Sequence, residues 1–245
     1  MDDRGRAIFE PFRSETIPNI SNIVRHRIID DHLRAILRQN PKSRIVIIGA
    51  GFDTRAFRLP GGEWFELDEP QVIDYKNQRL PAEQCPNPLQ RLSIEFASGS
   101  LREKLHPLAT SAPTVIVIEG VFMYLTQPAI AETLSALKGA FPGHVLLCDL
   151  MDRAFFNRFA GPVHAKIVAL GATFTERPET PETIFQECGY QLRETTPMFQ
   201  RAAEIGVLWE RARIPTFVGW LLLEFFMPQM KGYRVFRFDL GTNPI

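Results

Sequence analysis

A glycine turn and two carboxylates near it are the residues whose types and spacing can do chemistry. The turn, Gly49-Ala50-Gly51-Phe52-Asp53-Thr54-Arg55, directly follows the apolar run Arg44-Ile45-Val46-Ile47-Ile48. A Gly-x-Gly turn between a strand and a helix lets the backbone come close to a nucleotide-like ligand. Asp68, closing Glu66-Leu67-Asp68, stands where the acid at the end of a second strand is expected. Its carboxylate can accept hydrogen bonds from both hydroxyls of an adenosyl ribose. A dinucleotide site uses a third glycine and sets a pyrophosphate on the helix N-terminus. Here that glycine is missing and Asp53 occupies the turn. A carboxylate there repels pyrophosphate and accommodates an ammonium and a sulfonium, so S-adenosyl-L-methionine fits better than a dinucleotide. Asp53 as the plain N-cap of the next helix is compatible with the same reading.

Other chemistries find little support. The sequence contains no Ser-His-Asp arrangement, no metal-ligand cluster and no phosphate-cradling Walker loop. Its three cysteines (Cys85, Cys148, Cys188) are too scattered for a disulfide framework or a zinc site. Lys and Arg number 28 and Asp and Glu 28, which removes the electrostatic footprint of a nucleic-acid or polybasic membrane partner. The longest apolar run, Phe217 to Met227, is interrupted by Glu224 and is too short to span a bilayer. The charged first residues have no apolar segment of a secretory signal, so the expected setting is cytoplasmic. His164 is a candidate general base for a phenol or enol, against the commoner role of a surface or satisfied core histidine.

The positioning elements are those of an α/β domain. Strands are expected at Arg44–Ile48, Trp64–Leu67, Leu92–Phe96, Thr114–Ile118, His144–Cys148, Tyr190–Thr196 and Tyr233–Asp239, with helices between them. Gln127–Ala140 reads as a helix with Thr126 as N-cap and Pro128 in its first turn. A front helix is expected from a Ser21 N-cap to Asn40-Pro41, its apolar positions being Ile23, Val24, Ile28, Ile29, Leu33, Ile36 and Leu37. Thr180-Pro181-Glu182 opens a short helix that Gly189 can close. The division is one domain: cap helix region 1–40, core 41–200, apolar lid insertion 201–231 and last strand 232–245. The insertion carries Trp209, Phe217, Trp220, Phe225 and Phe226. It reads either as a dimer surface or as a hydrophobic ceiling over a substrate, leaving monomer and homodimer open.

Four segments in order resemble the leucine carboxyl methyltransferase family, which includes bacterial small-molecule O-methyltransferases linked to polyketide and other secondary metabolism. They are Arg25-His26-Arg27-Ile28-Ile29-Asp30-Asp31, Val46 to Leu59, Phe65-Glu66-Leu67-Asp68-Glu69-Pro70 with Asp74-Tyr75-Lys76, and Glu119-Gly120-Val121-Phe122-Met123-Tyr124-Leu125-Thr126. The resemblance is good from about Ser21 to Asp149 and thins beyond. It implies a class I methyltransferase fold, a Rossmann-like sheet of seven strands with the last antiparallel. It also implies S-adenosyl-L-methionine as cofactor and S-adenosyl-L-homocysteine as product. Under it, Arg27 pairs with the methionyl carboxylate, Gly49 and Gly51 line the loop, Asp53 lies near the ammonium and Asp68 holds the ribose. Glu119 contacts the cofactor, and Tyr124 lies at the pocket floor or near the substrate. The family's acid-plus-apolar pair that contacts adenine corresponds to Glu95-Phe96, with Glu in place of the usual Asp.

The expected reaction is methyl transfer to a carboxylate, phenol or enol oxygen of a small molecule, an in-line displacement that needs alignment and exclusion of water. A carboxylate needs no base, whereas a phenol or enol gains from one. The rivals are a protein C-terminal carboxyl methyltransferase, an NAD-dependent oxidoreductase disfavoured by Asp53, and a non-catalytic adenosyl-ligand sensor.

Overall fold

The computed structural model describes residues 16–96, 101–169, 171–175, 178–207 and 221–241, with Glu10, Arg13 and Val218 besides. Trp209, Phe217 and Trp220 lie outside the described residues.

The first element is helix α1 (Thr16–Gln39). Strand β1 (Arg44–Ile48) leads through the glycine turn into the short helix α2 (Arg55–Arg58) and then β2 (Glu63–Asp68). Helix α3 (Pro70–Arg79), β3 (Leu89–Ser93), α4 (Leu101–Leu105) and β4 (Thr114–Ile118) follow. Helix α5 (Gln127–Ala140) starts as its sequence requires, with the Thr126 hydroxyl accepting from the Ala129 N–H and a proline in the first turn. Strand β5 (His144–Met151) runs into a helical stretch, Arg153–Phe155, that passes through a π turn at Phe156–Ala160 to α6 (Gly161–Ala169). Helix α7 (Thr183–Glu187), β6 (Gln191–Pro197) and α8 (Met198–Glu204) follow, then a π turn at Leu222–Phe226, a 3-10 turn at Pro228–Gly232 and β7 (Tyr233–Leu240).

The strands form one sheet in the order β3-β2-β1-β4-β5-β7-β6, with β7 antiparallel to both neighbours. This is the expected seven-stranded sheet. Alternate residues of the central strands supply its two faces. Ile45, Ile47, Val115 and Val117 join Val24, Ile28 and Leu33 of α1 in one core. Val46, Ile48, Ile116 and Ile118 join Leu134 and Leu137 of α5 in the other. No helix among the described residues is long and apolar enough to cross a membrane.

Three expectations need correction. The third strand is Leu89–Ser93, not Leu92–Phe96, because its parallel register on β2 pairs Trp64 with Leu89 and ends at Asp68 against Ser93. Glu95 and Phe96 therefore lie beyond the strand, after Ile94 has donated a last backbone hydrogen bond to the Asp68 carbonyl (2.9 Å). Helix α1 begins at Thr16, so Ser21 is not its N-cap. The buried Ser21 hydroxyl donates back to the Pro18 carbonyl (2.8 Å), as serines inside helices do. Ile23, placed on the apolar face by its spacing, is exposed.

Candidate functional site

The crossing between β1 and β4 leaves a crevice at the carboxyl edge of the sheet, where open α/β sheets bind ligands. Backbone N–H groups of Gly49 and Ala50 donate to the Leu67 carbonyl (2.9 and 3.1 Å), tying the turn to the end of β2. Gly49 has φ +71°, and a Cβ there would lie 2.5 Å from Val121 Cγ2. Both the conformation and the close approach demand glycine. The Gly51 N–H donates to Asp68 Oδ2 (2.5 Å) and the Glu69 N–H to Asp68 Oδ1 (2.7 Å). Asp68 thus stands at the end of β2 with its carboxylate fixed by two main-chain donors. The residue at the N-cap position of α2 is Thr54 rather than Asp53. Asp53 closes an Asx turn, accepting the Arg55 N–H (2.6 Å), and also pairs with the Arg55 guanidinium.

Arg55 is fully buried and is the hub behind the turn. It donates to Asp30 of α1 (2.6 Å) and to Glu119 just past β4 (2.8 Å) as well as to Asp53. Arg58 donates to Asp30 from the next turn of α2 (2.8 Å). Asp30 of the α1 motif therefore holds the glycine turn through these two arginines, whereas Asp31 pairs with Arg27 and Arg34 on α1 itself. Burial disfavours the Asp30 carboxylate, but Arg58 and Arg55 outweigh it and lower its pKa.

Arg25 forms the second half of the network. Its guanidinium donates to Glu119 (2.9 Å), to Asp149 near the end of β5 (3.0 Å) and to the Tyr233 hydroxyl (2.7 Å). Tyr233 in turn donates to Asp149 (2.7 Å), and the Gly120 N–H donates to the same carboxylate (2.6 Å). Burial opposes the charge on Glu119. The His26 hydrogen bond (3.0 Å) and the charges of Arg25 and Arg55 overcome it and hold the carboxyl well below the usual range. Burial likewise opposes the charge on Arg25, and Asp149, Tyr233 and Glu119 restore it with a surplus. The Tyr233 phenol is pushed up by burial.

Two cavities meet at Arg25. A cleft of about 250 Å³ is walled by Asn22, Arg25, His26, Gly49, Asp53 and Glu119. One arginine and two carboxylates on its wall suit a zwitterionic amino-acid head, carboxylate to the guanidinium and ammonium to Asp53 and Glu119. His26, Asp53 and Glu119 place ligand atoms within 4.8 Å of one another, a donor set that an ammonium group satisfies. Beyond Asn22 and Arg25 a chamber of about 360 Å³ opens under α1, largely lined by Met123, Met151, Phe155, Phe159, Ile167 and Phe174. A narrow apolar slot of about 90 Å³ lies past the ends of β1 and β4, with Phe96, Ile118 and Val121 on its walls.

The other sequence-derived residues fall as follows. Arg27 is not brought into the site. It is 59% exposed and paired with Asp31 one turn along α1 (3.0 Å). Helix geometry is the reason: Arg25 lies three and four residues before the buried Ile28 and Ile29, on the inward face, and Arg27 does not. Phe96 is half-buried and reaches the slot, its N–H donating to Glu69 Oε1 (3.1 Å), whereas the Glu95 side chain is exposed. Tyr124 lines the chamber and meets Phe174 edge to face (centroids 5.1 Å apart). Burial raises the pKa of its phenol. His164 stacks on Phe174, and its Nε2 accepts the Phe174 N–H (3.2 Å). It is not among the residues lining the chamber, and that accepted bond occupies the lone pair a base would use. Asn22, His26, Asp149 and Tyr233 were not singled out from sequence. The acid of Asp149 inside the apolar run Val145–Leu150 is the signal that marks it.

The profile of the leucine carboxyl methyltransferase family matches residues 7–138, just over half of the chain. The chain belongs to the leucine carboxyl methyltransferase family. This makes it an S-adenosyl-L-methionine-dependent methyltransferase. A protein of Frankia alni named for that activity is 30% identical over 198 residues, covering 76% of this methyltransferase and 67% of its own length. Solved structures agree in fold. A DUF574-family protein of Streptomyces avermitilis superposes with TM-score 0.62 at 10% identity, covering 89% of this chain and 83% of its own. Magnesium protoporphyrin IX methyltransferase of Synechocystis, solved with bound S-adenosyl-L-homocysteine, gives TM-score 0.53 at 12% identity, covering 89% and 84%.

Proposed function

We propose that this methyltransferase methylates an oxygen of a small apolar molecule that arrives already ionised, a carboxylic acid in the first instance. The observation that carries this reading is the chamber joined to the cofactor cleft through Asn22 and Arg25. Its walls are chiefly aliphatic and aromatic, as ligand sites for small molecules are. Among the described residues that line it, the ionisable side chains are Arg25, Tyr124 and Tyr233. Burial raises the pKa of both phenols, so neither is a base near neutral pH. An acceptor that is ionised in water needs none.

The donor set fits the cofactor. Asp68 would hold the ribose hydroxyls, Arg25 the methionyl carboxylate, and Asp53 with Glu119 the ammonium. When bound, S-adenosyl-L-methionine supplies a methyl group to the acceptor oxygen, whose lone pair forms the new O–C bond while the pair of the broken C–S bond stays on sulfur as a neutral thioether. The protein's part is alignment and desolvation. The apolar walls strip water from the acceptor, and the Tyr124 hydroxyl, on the chamber wall, is a donor that can orient its carboxylate. A protein carboxyl terminus is the rival acceptor within the family. The apolar lining, with Arg25 as its one fixed charge among the described residues, favours the small molecule.

Transfer of labelled methyl from S-adenosyl-L-methionine to two panels, apolar carboxylic acids and short peptides with free carboxyl termini, tests the reading. Labelled methyl esters of the acids are expected. Labelling of peptides alone, or of neither panel by enzyme that binds the cofactor, would overturn it.

A further inference from the structure

The acceptor chamber has a neighbour. A second cavity of about 250 Å³ lies on the far side of Met123, Met151 and Phe174, three residues that also wall the chamber. Its floor is Phe122, Ile130, Leu150, Phe156, Ile184 and Phe185, and its rim carries Gln127, Thr180, Thr183 and Glu187. It sits between the two cores, since Phe156 and Phe174 belong to the α1-side cluster and Phe122, Ile130 and Phe185 to the α5-side cluster.

The partition is built in two materials. Phe174 is fixed from both sides: its N–H donates to His164, its ring stacks on that imidazole, and the next residue, Thr175, donates to the Met123 carbonyl (3.0 Å). Met123 and Met151 are unbranched thioethers that change shape at little cost. A rigid aromatic edge beside two adaptable side chains is a passage that an apolar chain can open. A compact acceptor leaves the second cavity unused, whereas one with an apolar tail fills both.

We propose that the second cavity is the tail subsite of the acceptor, so that the substrate is amphipathic: an oxyanion head in the chamber beside Arg25 and Tyr124, and an alkyl or aryl-alkyl tail passing between Met123, Met151 and Phe174. The subsite rests on the acceptor reading above for the position of the head only. His164 then acts as a positioning residue, holding the rigid edge of the passage.

The experiment is calorimetry on enzyme saturated with S-adenosyl-L-homocysteine, using two probe series, straight-chain alkanoic acids and 4-alkylphenols of six to sixteen carbons. Two variants accompany the wild type. Thr183→Trp fills the cavity from its exposed rim, and Ile184→Ala enlarges it. In the wild type, affinity is expected to rise through at least one series by tenfold or more. Thr183→Trp should abolish the gain of the long members and leave the short ones unchanged, and Ile184→Ala should shift the optimum to longer chains. Affinity independent of length in both series, or long members bound equally by wild type and Thr183→Trp, would overturn the subsite. The head group reports separately on the acceptor class: length dependence confined to the phenols keeps the tail subsite and removes the carboxylic acid.

Discussion

Replacing Arg25 and Arg27 one at a time by methionine separates the two arginines of the α1 motif. Arg25 is 14% exposed and bonds Glu119, Asp149 and Tyr233. Among the described residues, its removal leaves a fully buried Asp149 with the Gly120 N–H and Tyr233 hydroxyl, and Glu119 with Arg55 and His26. Breaking a buried ion pair costs roughly 3–5 kcal/mol, and the surviving donors put this case near the lower end, about 3 kcal/mol. For a chain of this length that lowers Tm by about 6–12 °C. The Arg27–Asp31 pair is an exposed one on a single helix turn, worth about 0.3–0.5 kcal/mol, so Arg27→Met should shift Tm by less than about 2 °C. Loss of a charge-assisted hydrogen bond to the cofactor carboxylate costs a further 1.5–3 kcal/mol, roughly ten- to hundredfold in Kd. Scanning calorimetry gives the first quantity. Titration with S-adenosyl-L-homocysteine at 0.15 M salt, below the unfolding onset of each variant, gives the second. Arg25→Lys keeps the charge without the planar fork and should fall between wild type and Arg25→Met. Weakened binding by Arg27→Met together with wild-type binding by Arg25→Met would refute the assignment.

Three further outcomes are expected. Gly49→Ala combines a left-handed backbone with a 2.5 Å approach to Val121 and should cost about 2–3 kcal/mol by urea denaturation, against about 1 kcal/mol for Gly51→Ala, whose Cβ meets nothing within 4 Å. A Gly49→Ala/Val121→Ala double variant that recovers nothing would contradict the packing argument. Burial lowers the pKa of His144 from 6.5 to about 4 in the folded chain, where it donates to the Phe141 carbonyl and meets the Tyr190 hydroxyl. The unfolded chain takes up the proton first, so this stability is complete above pH 6.5 and is lost as pH falls towards 4. The loss is about 2 kcal/mol between pH 7 and 5, which His144→Asn should remove from the pH dependence of ΔG. Finally, His164→Gln should raise KM for a long acceptor and leave kcat and its pH profile within a few-fold of wild type. A hundredfold fall in kcat, the scale of a lost general base, would restore His164 to catalysis.

The sheet was legible where burial is two-sided and β-branched residues run unbroken, as in Arg44–Ile48 and Thr114–Ile118, which form strands over those residues. Edge strand β3 was misplaced by three residues because its side chains are only half-buried, so alternation carries little signal and the pairing with β2 decides its ends. The start of α1 was hidden by Ser21, whose hydroxyl serves a carbonyl inside the helix rather than a free N–H. Gly49 and Gly51 were readable as turn residues because both take a left-handed backbone, and Gly49 also lies against Val121. Asp68 closes β2 where the sequence places an acid. Arg25 was missed although its spacing from Ile28 and Ile29 places it on the buried face. Asp149 and Tyr233 escaped for another reason: their roles exist only once β5 and β7 are paired, which puts Leu150 opposite Arg234 and Met151 opposite Tyr233. His164 illustrates the converse, since a residue type suited to proton transfer is engaged by the main chain of Phe174.

The crevice beside Asp68 and Arg25 is expected to bind S-adenosyl-L-methionine. Titration calorimetry of the wild type and of Asp68→Ala with this cofactor tests it most directly. Among the described residues the Asp68 carboxylate has backbone donors from Gly51 and Glu69, so the variant should stay folded while losing the ribose contact. One molecule bound per chain by the wild type, weakened about tenfold or more in Asp68→Ala, is the predicted result. Absence of binding by the wild type, or equal affinity in the two proteins, would contradict the account.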